Sequence, residues 1–224
     1  IDKIFSSVTT NGLFKNKTVL QANHSPETIP HRDEQVSAVA SILAPILRGE
    51  RASNLFVYGK TGTGKTLSVQ HVGMKIQEKM KTLGTDNVKV VYINCKLKKI
   101  ADTEYRIVAE LINELGSSVP ATGLPTDQVY NKFIQLIDSK NQVVLIILDE
   151  IDQAVAKISD TFIYNLTRLN SALKKAQICI VGISNSLTFM DNLDPRVKSS
   201  LGEEELVFPP YNALQLQDIL RQRA

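Results

Sequence analysis

Apolar residues gather into short runs separated by longer stretches with a helical repeat. Runs at 54–58 ("NLFVY"), 88–94 ("VKVVYIN"), 143–148 ("VVLIIL") and 178–184 ("ICIVGIS") read as strands, and a shorter one at 205–208 is closed by "PP". The middle runs are apolar on consecutive positions and do not alternate, the pattern of a parallel sheet covered by helices on both faces. Between them, Val72, Ile76 and Met80 recur four apart, as on one face of a helix. "DTEYRIVAELINELG" opens on Asp102 as a capping-type residue and stops at Gly116. "TDQVYNKFIQLIDS" has Thr126 ahead of Val129, Phe133 and Leu136 or Ile137, spaced as a buried face. Strand alternating with helix predicts an α/β, doubly wound domain.

Composition narrows the class only a little. The 224 residues suit one large α/β domain or a domain with a fragment of another; they are 43% hydrophobic and 22% charged, as in ordinary globular proteins. A formal net charge of +3 permits a nucleic-acid partner without requiring one. No apolar run reaches membrane-spanning length, and the N-terminus lacks a signal-peptide pattern. With Cys95 and Cys179 as the only cysteines, reduced thiols in a cytoplasmic protein without a membrane partner are expected. The chain starts on Ile1, and "NALQLQDILRQRA" stops while still reading as a helix with Leu214, Ile219 and Leu220 on an apolar stripe. It therefore reads as a piece of a longer protein.

The chemistry is concentrated in three places. "GKTGTGKT", Gly59 to Thr66, fits G-x-x-x-x-G-K-[ST] between a strand and an amphipathic helix. Its glycines Gly59, Gly62 and Gly64 let successive backbone N–H groups curl around phosphates. Thr63 and Leu67 belong to the same nucleotide-binding stretch. Lys65 reaches the outer phosphates, the Thr66 hydroxyl suits Mg²⁺, and the following helix adds its positive dipole end. Next, "VVLIILDEID" delivers Asp149 and Glu150 to the carboxyl end of a strand, where ligands sit in open α/β sheets. Asp149 suits the Mg²⁺ hydration shell, and Glu150 a general base that polarises an attacking water. Two adjacent carboxylates make a neighbouring cation economical, and an acid beside the metal-holding Asp favours hydrolysis over transfer to a small molecule. Third, "ICIVGISNS" ends in Ser184, Asn185 and Ser186, with Asn185 positioned to hydrogen-bond a γ-phosphate or the attacking water.

Together these elements resemble the AAA+ ATPases (P-loop NTPases), with Asn185 at the sensor-1 position. "PHRDEQ" at 30–35, "NLFVYGKTGTGKT", "LIILDEID", "LDPRVKSSLGEEE" and "FPPYNALQLQDILRQRA" further resemble the archaeal replication-initiator family. That family is related to the largest subunit of the eukaryotic origin recognition complex and to its helicase-loading partner. The resemblance runs from about Ile29 to the C-terminus. It implies a nucleotide domain, a helical lid and a winged helix, acting on double-stranded origin DNA, recruiting the replicative helicase and assembling with other initiator subunits. In this chain it implies an N-terminal segment at 1–28, an AAA+ domain at 29–211 and the start of a truncated lid at 212–224, the winged helix being absent.

By the same resemblance, Ile29 and Arg32 in "IPHRDEQ", Tyr211 after "FPP", and Arg223 on the following helix belong to nucleotide contact. DNA contact is implied for the region between 95 and 143, which holds Lys96, Lys98 and Lys99 in "KLKK" and Gly123 in "SSVPATGLPTDQ". Lysines there would give affinity that falls with salt. The arginine that AAA+ proteins extend into a neighbour's site is not evident: "SSLG" puts Ser200 at that place, leaving Arg196 and Lys198 as substitutes. Such an arginine contributes about 10³–10⁵ to phosphoryl-transfer rate, so a site without one should hydrolyse ATP slowly and act as a switch. Another AAA+ loader, or a signalling ATPase that gates partner assembly without DNA, are the alternatives that stay open.

Overall fold

The computed structural model describes residues 29–96, 102–120 and 122–223, with the backbone alone for Arg223. The chain divides into two compact units, Arg32–Pro210 and a smaller one formed from the residues before Arg32 and after Pro210. The larger unit carries a five-stranded sheet: β1 (Leu55–Tyr58), β2 (Val88–Asn94), β3 (Val143–Asp149), β4 (Gln177–Ser184) and β5 (Glu204–Val207). The spatial order is β2-β3-β4-β1-β5, with every neighbouring pair parallel.

The two faces of the sheet explain the unbroken apolar runs. Phe56, Ile93, Val144, Ile146, Leu148 and Ile180 face one core, closed by α3 (Glu104–Glu114), α4 (Thr126–Ile137), α5 (Ile151–Ile158), α6 (Thr161–Arg168) and α7 (Pro195–Leu201). The alternate residues, among them Leu55, Val57, Leu145, Ile147 and Val181, face the other core, against α1 (Asp33–Leu43) and α2 (Lys65–Thr82). All seven residues of β3 are buried. Truncating one of them, Leu145→Ala for instance, would cost about 2–5 kcal/mol.

Helix faces follow the predicted spacing. Val72, Ile76 and Met80 are buried on α2, and Val129, Phe133 and Ile137 on α4. Asp102, expected to cap α3, does not. Thr103 is the N-cap, its hydroxyl accepting from the Arg106 N–H at 3.3 Å, while Asp102 pairs with Arg106 and Lys157. The adjacent Thr sits in extended backbone, the conformation an N-cap needs. Asn54 lies just before β1, with its backbone carbonyl accepting from the Glu204 N–H at 3.0 Å. Its side-chain oxygen accepts from the Ile180 N–H at 2.9 Å, and its amide donates to the Ser200 carbonyl at 2.7 Å. It thereby ties the start of β1 to the end of α7. Cys95 and Cys179 are buried and free, and burial pushes each thiol up to about 12.

In the smaller unit, α8 (Ala213–Arg223) follows Tyr211, and His31 Nε2 lies 2.7 Å from Asp218 Oδ2. Among the described residues no helix is long and apolar enough to cross a membrane.

Candidate nucleotide site

Strand order brings the three motifs together. β4 lies between β1 and β3, so the phosphate loop after Tyr58, Asn185 after Ser184, and Asp149 with Glu150 all emerge at the carboxyl edge of adjacent strands. That is the crevice where open parallel sheets bind ligands. A cavity of about 230 Å³ opens there, lined by residues 61–67, Asp149, Glu150 and Asn185.

The loop between β1 and α2 is shaped by its glycines. Gly62 and Gly64 take φ of +80° and +88°, and Gly64 caps the first turn of α2 in the left-handed region. A Cβ on Gly59 would collide with the Phe208 carbonyl, because β5 runs alongside. Thr63 is buried, its hydroxyl donating to the Lys60 carbonyl at 2.9 Å, and its own carbonyl accepts from Arg32 Nε at 2.8 Å. The Arg32 guanidinium also donates to the Pro209 carbonyl and stands 5.6 Å from the Phe208 ring centre. At 3% exposure, Arg32 braces the back of the loop.

Lys65 is held by neutral acceptors. Its ammonium donates to the carbonyls of Gly59 at 2.8 Å and Lys60 at 2.9 Å, and to Asn185 Oδ1 at 2.8 Å. Burial pulls its pKa down, and the carboxylates of Asp149, Asp152 and Glu150 pull it back up. All three hydrogen-bond partners are neutral, so the positive charge is not cancelled by direct contact.

The acidic side is equally organised. Asp149 Oδ2 accepts from the Thr66 hydroxyl at 2.9 Å and the Tyr92 hydroxyl at 2.8 Å, and Oδ1 from the Glu150 N–H at 2.9 Å. Glu150 is the N-cap of α5 at φ +52°, a left-handed conformation that costs a non-glycine residue about 1–2 kcal/mol. That turn ends the strand at once and leaves the Glu150 carboxylate at the cavity, with Lys96 Nζ 3.4 Å from its Oε2. Ser184 donates to Asp152 at 2.8 Å and accepts from the Ser186 N–H, which shapes the turn that carries Asn185.

The donor set suits a hard cation. One carboxylate and one hydroxyl, 2.9 Å apart and beside a phosphate-shaped loop, match how Mg²⁺ is taken up with a nucleotide, through few protein ligands plus phosphates. Among the described residues no cluster of three or more His, Cys, Asp or Glu could hold a metal by itself.

Ile29, Tyr211 and the backbone of Arg223 fall in the smaller unit. Lys98 and Lys99 lie outside the described residues. Gly123 sits at φ +106° with no neighbour that an added Cβ would meet within 4 Å. Arg196 Nε and Nη2 each lie 3.0 Å from the Asp194 carboxylate, and its guanidinium stands 5.2 Å from the Tyr164 ring centre. Tyr92 and Arg32's hold on Thr63 went unread in the sequence. For Tyr92 the available signal was parity, since it shares a strand face with Asn94, the register partner of Asp149.

The loop, the Asp–Glu pair and the Asn on neighbouring parallel strands define an AAA-type nucleotide-binding domain. The chain belongs to that family, whose model, an AAA domain, matches residues 48–190. Within it the chain is similar to ORC1-type DNA replication proteins. It is 50% identical over 229 aligned residues to the ORC1-type DNA replication protein of Pyrococcus abyssi, covering 100% of this chain and 54% of that protein. The solved structure of the Aeropyrum pernix Orc1 protein in complex with DNA matches with a TM-score of 0.85 at 41% identity, covering 94% of this chain and 53% of that one. The Aeropyrum pernix Orc2 protein, solved in ADPNP–ADP complexes, matches with a TM-score of 0.76 at 26% identity, over 95% and 56% of the two chains. The chain thus spans about half the length of the curated relatives it matches.

Proposed function

We propose that this chain is the ATP-binding switch of a DNA replication initiator, which binds double-stranded origin DNA and helps recruit the replicative helicase. The observation that carries the reading is the convergence of Lys65, Thr66, Asp149, Glu150 and Asn185 on one cavity, in a chain akin to ORC1-type proteins over its whole length. In this reading Lys65 and the loop N–H groups hold the phosphates, and Asn185 orients the terminal phosphate or the water. Glu150 takes the proton from that water as it attacks. Bound Mg²⁺, held by Thr66 and Asp149, would neutralise charge on the phosphate oxygens. Ile29, Arg32, Tyr211 and Arg223 are the further positions proposed for nucleotide contact.

In this reading turnover is slow because Lys65 is the one cation among the described residues that line the cavity. Ser200 donates its hydroxyl to the Arg196 carbonyl within α7, and Arg196 is engaged by its own helix cap. A neighbouring subunit would have to supply the missing positive charge. Lys96, Lys98, Lys99 and Gly123 are the positions proposed for DNA contact, and cytoplasm or nucleoid is the matching location.

The test is ATP hydrolysis by this chain across a wide range of protein concentration. A single slow turnover with ADP retained, independent of concentration, supports a self-contained switch. Repeated turnover that rises with concentration would show instead that a neighbour completes the site. Duplex binding by the whole protein, measured against salt, tests the initiator role. No binding at low salt would sink it in favour of a signalling ATPase.

A further inference from the structure

The Asp149 side chain is almost wholly buried, 4% exposed, and a buried carboxylate must be met by donors or a cation. Three donors meet it. The Thr66 hydroxyl belongs to the phosphate loop, and the Glu150 N–H is the next residue along the chain. The Tyr92 hydroxyl belongs to neither; it comes from the adjacent strand β2 and reaches Oδ2 at 2.8 Å. Register explains the reach. Asn94 pairs with Asp149 and Tyr92 with Ile147, so the ring of Tyr92 spans the diagonal between same-face neighbours. A carboxylate can only accept and a phenol is ordinarily protonated near neutral pH, so the Tyr92 hydroxyl is the donor of this bond.

We infer that Tyr92 is a positioning residue for the magnesium side of the site, fixing the Asp149 carboxylate through a hydrogen bond to Oδ2. The inference rests on the reading of Asp149 and Thr66 as the residues that hold Mg²⁺. Thr66 and Tyr92 both donate to one oxygen and the Glu150 N–H to the other, so neither carboxylate oxygen can swing without breaking a bond. That leaves the rotamer set before any cation arrives. Without the phenol, Thr66 alone would restrain Oδ2, and Thr66 is a ligand candidate that must reorganise when the metal binds. The ring itself packs on the core shared by α1 and α2, so removing only the oxygen leaves the packing in place.

The experiment is equilibrium binding of a fluorescent ATP analogue to the wild-type chain and to Tyr92→Phe, first in EDTA and then along a MgCl₂ titration. Loss of a residue that orients a metal ligand typically weakens metal affinity by about 10–100-fold. The expected result is a Mg²⁺ midpoint raised by that factor, with affinity in EDTA unchanged and only a modest fall in melting temperature from the lost hydrogen bond. An unchanged midpoint overturns the inference. So does an affinity loss of equal size in EDTA, or a collapse in melting temperature, since either would make the hydroxyl merely structural. Asp149→Asn in parallel separates the two layers. If it leaves the Mg²⁺ dependence intact, the metal reading itself has failed. If Asp149→Asn shifts the midpoint and Tyr92→Phe does not, only the role of Tyr92 has failed.

Discussion

Lys65 and Arg196 are both cations expected to meet ATP phosphates, one from within the site and one from a neighbour, and the structure treats them in opposite ways. Lys65 is 5% exposed and held by three neutral acceptors. Its charge is desolvated but uncancelled, and its geometry is fixed before an anion arrives. The Arg196 side chain is 71% exposed and already forms a two-pronged pair with the Asp194 carboxylate that caps its own helix. An anion at Lys65 replaces no carboxylate; an anion at Arg196 must first displace one. The lesson is that a preorganised cation supports tight binding by itself, whereas a self-paired one acts only when a partner surface makes the exchange worthwhile.

The contrast is broken most forcefully at the base. Glu150→Gln keeps the size and the hydrogen-bonding edge of the side chain but removes its charge. Single-turnover hydrolysis should fall by about 10²–10⁴ while nucleotide affinity is kept. Normal turnover in that variant would remove Glu150 from the mechanism. Lys65→Ala comes next. Removing one partner of a buried charged contact costs about 2–5 kcal/mol, so affinity for the ATP analogue should drop by about 30- to 4000-fold. Unchanged affinity would refute the phosphate-loop assignment.

How much of this was legible depends on how local each signal is. The strands were read to within one residue at either end because their apolar runs answer to two cores at once, and Asn54 fell outside only because its amide replaces a ladder carbonyl. The phosphate loop, Asp149, Glu150 and Asn185 were legible because each lies at a strand's carboxyl end, and the parallel order gathers those ends. Asp102 misled because two adjacent residues can both cap, and only backbone geometry chooses Thr103. The hold of Arg32 on the Thr63 and Pro209 carbonyls was not legible, because it depends on β5 returning beside β1. Tyr92 was harder to read for a related reason: its partner lies 57 residues away, and parity along β2 does not by itself give the register with β3.

The preorganised half of the contrast can be sharpened at Arg32. Arg32→Ala leaves two carbonyls of the loop region without their donor, and hydrogen bonds from a charged group contribute about 1.5–3 kcal/mol each. With both bonds lost, stability should fall by about 3–6 kcal/mol in chemical denaturation, and nucleotide affinity should fall with it as the loop loosens. Arg32→Lys should rescue little, because an ammonium cannot span both carbonyls as the planar fork does. Full rescue by Lys would make the site one of charge alone.

The smallest effect is expected at the other pole. Arg196→Ala removes an exposed pair on the first turn of α7, and exposed pairs of this kind contribute little to stability, so melting temperature should not change measurably. Its nucleotide affinity and its turnover at high dilution should match the wild type, because no neighbour is present to receive the guanidinium. The informative measurement is turnover at high protein concentration. If Arg196 serves a neighbouring site, any acceleration seen in the wild type should vanish in the variant. It should return when the variant is mixed with Glu150→Gln, whose intact Arg196 can reach the variant's working site. Acceleration that persists in Arg196→Ala alone would move the search along the same helix to Lys198, whose ammonium stands 3.6 Å from Asp191.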